Sequence, residues 1–457
     1  MKIAKSFSAV PAILLSGLLV PHLQAAVILT NVVSFEETNG ASPEAALIPG
    51  KDGNLYSTCF SGGPGSYLTN GTIFQITPSG AFTSLIAFNG TNGAGPRAGL
   101  VQGTDGSFYG ATYSGGTNNA GTVFQLTTNG TLATLVTFAF SDTTGAYPIA
   151  GLVQGQDGNF YGTTAIGGTN GNGTIFRLAT NGAFASLVSF DNANGASPYA
   201  GLVSAKDGSL YGTTYQGGTN GQGTIFKLTT NGTFSSLYSF TGTNDGGNPY
   251  AGLAQGRDGN FYGTTFYGGT NGFGTVFELS TNGTLTTLIS FDGANGANPQ
   301  GGVLQATDGN FYGTTFLGGA SGNGTVFKLA TNGVLTTLVS FDGTNGAAPE
   351  AGLMQSADGN FYGTTTHGGT NGFGTVFRLG VIVPPPKFQT VTRAGSTLTL
   401  NWSATVGQSY QMLYRTNLSQ TTWSNLNNSI TATNPVMTTL DATGPDRQRF
   451  YRILLLP

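Results

Sequence analysis

The residues of this chain that could do chemistry follow seven prolines, which recur about every fifty positions. The residue after each proline differs between occurrences: Glu44, Arg97, Ile149, Tyr199, Tyr250, Gln300 and Glu350. Two carboxylates opposite two tyrosines would suit a sugar, because sugar faces are apolar and their hydroxyls form hydrogen bonds. Carboxylates about 6.5–9.5 Å apart could also catalyse inverting glycoside hydrolysis. These variable positions are the first candidates for a ligand site.

The prolines belong to a repeat whose marker is a turn of the form D-G-[NS]-[FL]-Y. The marker aspartates are Asp52, Asp105, Asp157, Asp207, Asp258, Asp308 and Asp358. Each unit has four short segments rich in β-branched or aromatic residues, bounded by Asp-Gly, Asn-Gly or Gly-Gly pairs that favour tight hairpins. No stretch outside residues 1–26 has sustained helical periodicity. The pattern predicts four antiparallel strands per unit, as in a β-propeller blade.

The two ends of the repeat region indicate how the units are joined. Six units end in an octamer such as residues 334–341, whereas the seventh stops at Leu379 without one. The missing octamer occurs before the first unit, at residues 28–35. A closed ring uses this arrangement, since the first strand then completes the last sheet and removes two exposed edges. A β-solenoid, the alternative, has no use for it. We therefore predict an all-β protein with a seven-bladed β-propeller over residues 27–380, closed by its N-terminal strand.

The candidate ligand residues are expected on one face of this propeller. The loops between units and the loops between the second and third strands share that face, and here they are the long loops. Binding residues tend to lie on loops over a rigid frame, so this long-loop face is the better candidate. Unconstrained variation at the rim is the alternative interpretation. The predicted ligand-binding set is Glu44, Arg97, Tyr199, Tyr250, Tyr267, Phe273, Glu350 and His367.

Other residues argue against several kinds of site. His367 is the only histidine after residue 26, so a catalytic triad or a multi-histidine metal site is excluded, and no cofactor is predicted. Cys59 occupies a position that threonine holds in most other units, which indicates a small core residue rather than a nucleophile. The marker aspartates are predicted to bond their own turn backbone, because aspartate tolerates and stabilises such turns.

The first 26 residues have the features of a signal peptide. Lys2 and Lys5 supply the positive start, residues 10–20 form an apolar centre and residues 23–26 a plausible cleavage region. Two of the 16 basic residues fall in this segment, so the mature chain would carry 14 basic and 19 acidic residues. The chain is only 8% charged and has no basic patch, which argues against a nucleic-acid partner. We expect a secreted or cell-surface protein, monomeric and without a membrane span.

The repeat ends after Leu379, and the amino-acid composition changes. Residues 381–387 form a proline-rich linker, and residues 388–457 contain both tryptophans and few glycines. Alternating runs at 397–402, 410–414 and 450–455 predict a small β-sandwich. The runs Leu398–Trp402 and Phe450–Arg452 resemble those of a fibronectin type III-like module. This resemblance implies a spacer, an attachment module or a recognition module.

The repeat unit GLxxGxDGNFYGTTxxGGTNGxGTxFxLTTNGxxxTLxSF resembles the GloVer tandem repeat. That repeat is found in bacterial exported proteins with varied C-terminal anchoring segments, known as choice-of-anchor proteins. The resemblance covers residues 27–380 and implies export and an extracellular repeat scaffold, without a catalytic residue to carry over. The family's usual sorting tail, an apolar helix followed by basic residues, is not found here.

Two functions remain open from the sequence. The first is a non-enzymatic scaffold that binds an extracellular polysaccharide or a cell-surface protein, with a glycan as the expected ligand of the long-loop face. The alternative is a carbohydrate-active enzyme, a glycoside hydrolase or lyase that uses acidic residues at the channel mouth. Perturbed carboxylates in a deep pocket would favour the enzyme, and a flat polar face would favour the binding protein.

Overall fold

The structure, a computed structural model, describes residues 27–64, 70–140, 144–381, 386–405, 408–417, 419–442 and 449–456. In these ranges all regular secondary structure is β-strand. Nothing in the described parts forms a helix with the length and apolarity that a membrane crossing requires. The predicted signal peptide and part of the predicted linker lie outside the described residues.

The described part of the repeat region contains 28 strands. Each of the first six units has a two-residue strand, two five-residue strands and a six-residue strand, whereas the seventh ends at a seven-residue strand. In chain order they are β1 (Val27–Ser34), β2 (Ile48–Pro49), β3 (Leu55–Cys59), β4 (Thr72–Ile76), β5 (Phe82–Ala87), β6 (Val101–Gln102), β7 (Phe108–Thr112), β8 (Thr122–Leu126), β9 (Leu132–Thr137), β10 (Val153–Gln154), β11 (Phe160–Thr164), β12 (Thr174–Leu178), β13 (Phe184–Ser189), β14 (Val203–Ser204), β15 (Leu210–Thr214), β16 (Thr224–Leu228), β17 (Phe234–Ser239), β18 (Ala254–Gln255), β19 (Phe261–Thr265), β20 (Thr275–Leu279), β21 (Leu285–Ser290), β22 (Leu304–Gln305), β23 (Phe311–Thr315), β24 (Thr325–Leu329), β25 (Leu335–Ser340), β26 (Met354–Gln355), β27 (Phe361–Thr365) and β28 (Thr375–Val381).

Each unit forms one four-stranded antiparallel sheet, so the predicted four strands per unit are confirmed. The first six sheets pair their strands in simple sequence order, as in β2-β3-β4-β5. The third and fourth strands of each of these sheets carry a β-bulge at the same place, for example between Val326 and Phe327. A bulge at a fixed position strengthens the local twist of each sheet in the same way. The result is a β-propeller-like repeat fold.

The cores lie between consecutive sheets rather than within a single one. One cluster joins Tyr56 and Ile73 of the first unit to Phe108 and Phe124 of the second. The second strand of each unit is buried along its whole length. A strand that is buried on both faces needs packing partners on both sides, so one unit cannot bury its apolar surface alone.

The last sheet is completed by the first strand of the chain. Its order is β1-β28-β27-β26, and β1 pairs with β28 in the antiparallel sense from Val27 opposite Val381 to Ser34 opposite Thr375. The amide of Phe35 donates to the carbonyl oxygen of Gly374 at 3.0 Å, as Phe341 does to Gly324 within the sixth unit. The octamer at residues 28–35 therefore has the same role as those at the ends of the other units.

Two expectations about single residues agree with the structure. Cys59 is fully buried in the core, where burial raises the pKa of its thiol. Its neighbour Thr72 has a buried hydroxyl without a hydrogen-bond partner, whereas the equivalent pair Thr365 and Thr375 is bonded at 2.8 Å. The marker aspartates accept a hydrogen bond from the amide two residues later, as Asp52 does from Asn54. Both residue types therefore serve the repeat structure.

The C-terminal residues form two further sheets. Their strands are β29 (Phe388–Ala394), β30 (Thr397–Ser403), β31 (Ser409–Arg415), β32 (Ser424–Asn425), β33 (Ile430–Thr431), β34 (Val436–Ala442) and β35 (Phe450–Leu455). One sheet has the order β29-β30-β34, and in the other β31 pairs with β32, β33 and β35. Leu400 and Trp402 pack with Tyr410 and Met412 in a core between them. Two packed sheets agree with a small β-sandwich, while the fibronectin type III-like identity stays a prediction.

Substitution of Phe35 tests the pairing of β1 with the last unit. Phe35 and Phe341 are both fully buried at equivalent positions. Phe341 follows directly in sequence on the strands of its own sheet, whereas Phe35 joins a sheet whose other strands lie more than three hundred residues later. We expect Phe35→Ala and Phe341→Ala to lower the free energy of unfolding by similar amounts, about 3–5 kcal/mol for a buried phenylalanine. Urea-induced unfolding, followed by the far-ultraviolet circular dichroism of the backbone, measures the free energy of unfolding of both variants.

Deletion of residues 27–35 provides the stronger version of the same test. It would expose the edge of β28, so the melting temperature should fall sharply. An unchanged melting temperature, or a Phe35→Ala variant as stable as the unsubstituted protein, would contradict the strand pairing.

Candidate functional site

A strained backbone conformation before each proline sets the direction of the residue that follows it. All seven pre-proline residues have φ between 51° and 61°, and six of them are not glycine: Ser42, Tyr147, Ser197, Asn248, Asn298 and Ala348, with Gly95 as the seventh. A left-handed conformation costs a non-glycine residue roughly 1–2 kcal/mol, and a following proline restricts the backbone further. Such a conformation persists only where neighbouring groups hold it.

Hydrogen bonds from two units hold each of these residues. The Ala348 amide donates to the carbonyl of Asn323 in the preceding unit, and the Ala348 carbonyl accepts from the Thr366 amide in its own unit. The same two bonds occur at Ser42, whose amide donates to Phe373 of the last unit at 3.0 Å. The residue after Phe373 must be glycine, because a Cβ at Gly374 would lie 2.7 Å from Cδ of Pro43. The residue after the proline is thereby placed identically in every unit.

The residues after the prolines all line one cavity of about 240 Å³. The remaining lining residues are alanines and glycines, so the variable side chains supply nearly all of its chemistry. The seven variable lining residues are Glu44, Arg97, Ile149, Tyr199, Tyr250, Gln300 and Glu350. A site that draws one residue from each unit, over three hundred positions of sequence, depends on the arrangement of all seven sheets.

One side of the cavity is charged. Arg97 Nε lies 3.6 Å from a carboxylate oxygen of Glu44, and the guanidinium lies over the rings of Phe60 and Tyr113 at 4.9 and 5.2 Å. Burial and, to a smaller extent, the Glu350 carboxyl together raise the pKa of Glu44 to about 8, while Arg97 opposes the rise. Burial also raises the pKa of Glu350, against the opposing effects of Thr366, Arg97 and His367.

The Glu350 carboxyl also interacts with a neutral polar group. The Thr366 hydroxyl is buried and has no hydrogen bond of standard geometry, yet it lies close enough to lower the pKa of Glu350. Thr366 is not one of the lining residues, so it acts on Glu350 from outside the cavity.

Tyrosines form the other side of the cavity. Tyr199 stacks on Tyr215 at 5.0 Å between ring centroids and meets the edge of Tyr250 at 5.6 Å. Burial raises the pKa of Tyr250 to about 12, and Arg97, Glu350 and Glu44 all influence it electrostatically. Tyr250 therefore lies between the aromatic side and the charged side.

The structure brings five of the eight predicted site residues into the cavity and leaves three outside its lining. Tyr267 is 49% exposed with its ring edge against Phe266, and Phe273 is 40% exposed. His367 is exposed, and its backbone pairs with Ala347. These three lie in the loops between the second and third strands, whereas the cavity is lined by the segments after the prolines.

Sequence reasoning missed a second ring of residues, each placed directly after a second strand. Its members are Phe60, Tyr113, Ala165, Tyr215, Phe266, Phe316 and Thr366. Several support the cavity residues, as Tyr215 supports Tyr199 and Phe60 supports Arg97. The signal was available, because this position also varies inside an otherwise constant unit.

The arrangement suits a small polar ligand with an apolar face. Stacked rings can contact such a face, while Glu44, Glu350, Gln300 and Arg97 can form hydrogen bonds with its edges. No group of three or more His, Cys, Asp or Glu residues in the described ranges could hold a metal ion. A buried carboxyl that keeps its proton near neutral pH could also donate a hydrogen bond or act as a general acid.

The raised pKa of Glu44 predicts a specific dependence of stability on pH. The folded protein holds the Glu44 proton more tightly than the unfolded chain, whose pKa is near 4.5. The contribution of Glu44 to the free energy of unfolding is therefore fully present below pH 4.5 and is lost as the pH rises through about 8. We expect Glu44→Gln to match the unsubstituted protein at pH 5 and to exceed its stability at pH 9, by up to about 5 kcal/mol.

Melting temperatures between pH 5 and pH 9 measure this difference. Glu36→Gln is the matched control, because Glu36 is exposed and does not line the cavity. Parallel curves for Glu44→Gln and the unsubstituted protein would show that Glu44 has no such effect.

Several solved structures have a partial likeness to this chain. A 6-phosphogluconolactonase candidate from Bacteroides uniformis is 20% identical, with a TM-score of 0.46 over 65% of this chain and 83% of that chain. A puromycin-hydrolysing peptidase from Mycobacterium tuberculosis is 11% identical, with a TM-score of 0.47 over 81% of this chain and 60% of that one. An exo-β-1,3-galactanase candidate from Bifidobacterium bifidum is 12% identical, with a TM-score of 0.35 over 57% and 94%. These scores carry no argument about function.

No protein with a curated description matches this sequence significantly. The family comparison is more informative, because it matches the repeat itself. The matched segments, residues 22–207, 65–258 and 202–428, overlap and together span most of the chain. The chain therefore belongs to the Gloeobacter/Verrucomicrobia repeat family.

Proposed function

We propose that this protein is an exported, extracellular binding protein that holds a small glycan in the cavity of a closed seven-bladed β-propeller. The observation that carries the proposal is the convergence of the variable repeat positions on one cavity with an aromatic side and a carboxylate side. Variable side chains that converge on one cavity, over a largely constant frame, are what a recognition site requires.

Contacts between the last and first units support the closed ring. Thr364 donates to the Ala45 carbonyl at 3.1 Å, which is the same bond that Thr314 makes to Ala351. Within the seventh sheet, Asn371 Nδ2 donates to the Phe35 carbonyl at 3.2 Å, as Asn271 does to Phe291 within the fifth. The Thr364 bond repeats one that joins consecutive units and the Asn371 bond repeats one inside a unit, so both support closure. Closure removes the two sheet edges that an open array would expose.

The size and chemistry of the cavity support a small glycan. A volume of about 240 Å³ is just below the ~300–1,000 Å³ of pockets for drug-sized ligands, which favours a ligand with one or two sugar rings. Tyr199 and Tyr250 offer ring faces and edges to an apolar sugar face, and Gln300 offers both a donor and an acceptor.

Features at the two ends of the chain support an extracellular location. Residues 1–26 have the charge and hydropathy pattern of a signal peptide, and the repeat resembles that of exported bacterial proteins. The two-sheet unit formed by residues 388–456 would then act as a fibronectin type III-like spacer or attachment module.

A glycoside hydrolase or lyase is the second candidate, and one observation favours it. Glu44 and Glu350 are a half-buried carboxyl pair in a cavity, and burial together with the Glu350 charge raises the pKa of Glu44 to about 8. An acid with such a pKa, beside a second carboxyl, has the composition of a general acid and its partner. If the protein hydrolyses a glycan, Glu44→Gln and Glu350→Gln must each abolish turnover; turnover that survives in both excludes this pair as the catalytic one.

The binding proposal predicts that the inner tyrosines are required for retention of a glycan. On a glycan array or in affinity electrophoresis, the double variant Tyr199→Ala/Tyr250→Ala should bind at least about tenfold more weakly, since each lost stacking contact is worth ~0.5–1.5 kcal/mol. Tyr267→Ala/Phe273→Ala is the matched control, because it also removes two rings but from outside the cavity lining. Equal retention of both double variants and the unsubstituted protein would exclude the aromatic side as the binding surface.

A further inference from the structure

We infer that the cavity selects a ligand with a single positive charge, and that the sugar it takes is an amino sugar. The inference rests on the proposed function, because it names the class of glycan that the same cavity would bind. It is drawn from the balance of charges in the lining and from the arrangement of aromatic rings opposite to them.

The charged lining residues contain two carboxyls and one guanidinium, namely Glu44, Glu350 and Arg97. The guanidinium already balances one carboxyl, because Nε lies 3.6 Å from Glu44, without a hydrogen bond, and the group lies over the rings of Phe60 and Tyr113. One guanidinium can balance only one ionised carboxylate in a buried site. The second carboxyl must therefore keep its proton or obtain another cation. A single ammonium group would let both carboxyls ionise and would leave the cavity neutral.

The groups that face the carboxyls come from several units and do not supply this second cation. Glu44 is influenced by Glu350 and Arg97, and Glu350 by Thr366, Arg97 and His367. His367 is exposed and does not line the cavity. Thr366 contributes only a neutral, buried hydroxyl that lies outside the cavity lining.

The aromatic side favours a cation for an independent reason. Tyr199 and Tyr215 are stacked, and Tyr250 meets both in edge-on contacts at 5.6 and 6.0 Å. Ring faces carry partial negative charge, so a cation near them is stabilised and an anion is not. A uronic acid would face both the ring system and two carboxyls, and its only cationic partner in the lining would be Arg97, which already balances Glu44. The lining thus discriminates against acidic sugars.

Binding of a cation should release a proton. Below the pKa of Glu44, at about 8, the free cavity keeps one carboxyl protonated, and an ammonium group that pairs with it displaces that proton. Binding of an anion would have the opposite sign, since it would require proton uptake. The direction of proton exchange therefore distinguishes the two kinds of ligand by linkage.

The experiment uses the full mature chain and titration calorimetry at pH 6.5, where a sugar amine is still mostly protonated. Glucosamine, galactosamine and mannosamine are compared with glucose, galactose and mannose, with the N-acetylated hexosamines and with glucuronic acid. At least one hexosamine should bind roughly tenfold more tightly than its parent hexose, as expected for a cation placed among aromatic rings and carboxylates. Repetition in two buffers of different ionisation enthalpy should show proton release.

Variants assign the preference to the carboxyl pair. Glu350→Gln should reduce the advantage of the amine over the parent hexose to less than about threefold, because one guanidinium then balances the remaining carboxylate. Glu44→Gln provides a second variant should Glu350→Gln fold poorly, and Glu36→Gln, exposed and outside the cavity, should retain the full preference.

Each result decides between the two proposals. Tighter binding of an amine with proton release supports both. Hexoses or N-acetylhexosamines that bind as tightly as the amines overturn the inference and leave the glycan-binding proposal standing. Tighter binding of glucuronic acid, or proton uptake, also overturns the inference. If none of the sugars binds, both this inference and the proposed glycan site are wrong.

Discussion

The rest of this structure depends on the pair of backbone hydrogen bonds that holds each pre-proline residue, which we call the clamp. Six non-glycine residues are held in the left-handed region, at a cost of roughly 1–2 kcal/mol each. Each is held by one backbone hydrogen bond to the preceding unit and one to its own unit. A unit therefore reaches its working geometry only when the preceding unit is in place. The first unit has the equivalent bond to the seventh, from the Ser42 amide to the Phe373 carbonyl.

This constraint separates the frame of the protein from its recognition surface. The clamp uses backbone groups, the inter-unit bonds use threonine hydroxyls, and the close approaches between units use glycine. None of these depends on the side chain that follows the proline. Those side chains can differ freely, and they converge on one cavity because the backbone delivers each of them to an equivalent place. The protein thus combines seven nearly identical units with a strongly asymmetric site.

The asymmetry has an energetic cost on the charged side. Two carboxyls share one guanidinium in a buried place, and burial raises the pKa of both. A fold optimised only for stability would hold glutamine or an apolar residue at one of these positions, as it does at Gln300 and Ile149. Strongly perturbed carboxyls in a cavity are more typical of functional sites than of structural ion pairs. Both the proposed cation selectivity and the alternative of hydrolysis originate in this one feature.

Local patterns explain why so much of the architecture could be predicted. Strand alternation, Asp-Gly turns and the fifty-residue period are written in neighbouring residues, and they predicted four strands per unit and the pairing of residues 28–35 with the last sheet. The same period exposed the variable positions, so that Glu44, Arg97, Tyr199, Tyr250 and Glu350 were identified as one set. A repeat makes such deductions possible, because each unit serves as a reference for the others.

Other properties were decided only by the tertiary structure. Sequence placed Tyr267 and Phe273 with the inner tyrosines, but the loops that carry them leave their rings exposed at the outside of the cavity. The ring of supporting residues from Phe60 to Thr366 acquires its role through packing against neighbouring units. The perturbed proton affinity of Glu44 has no local signal at all, because it arises from burial and from Glu350, about three hundred residues away. Burial and long-range charge are properties of the folded arrangement, whereas turns and periodicity belong to the chain itself.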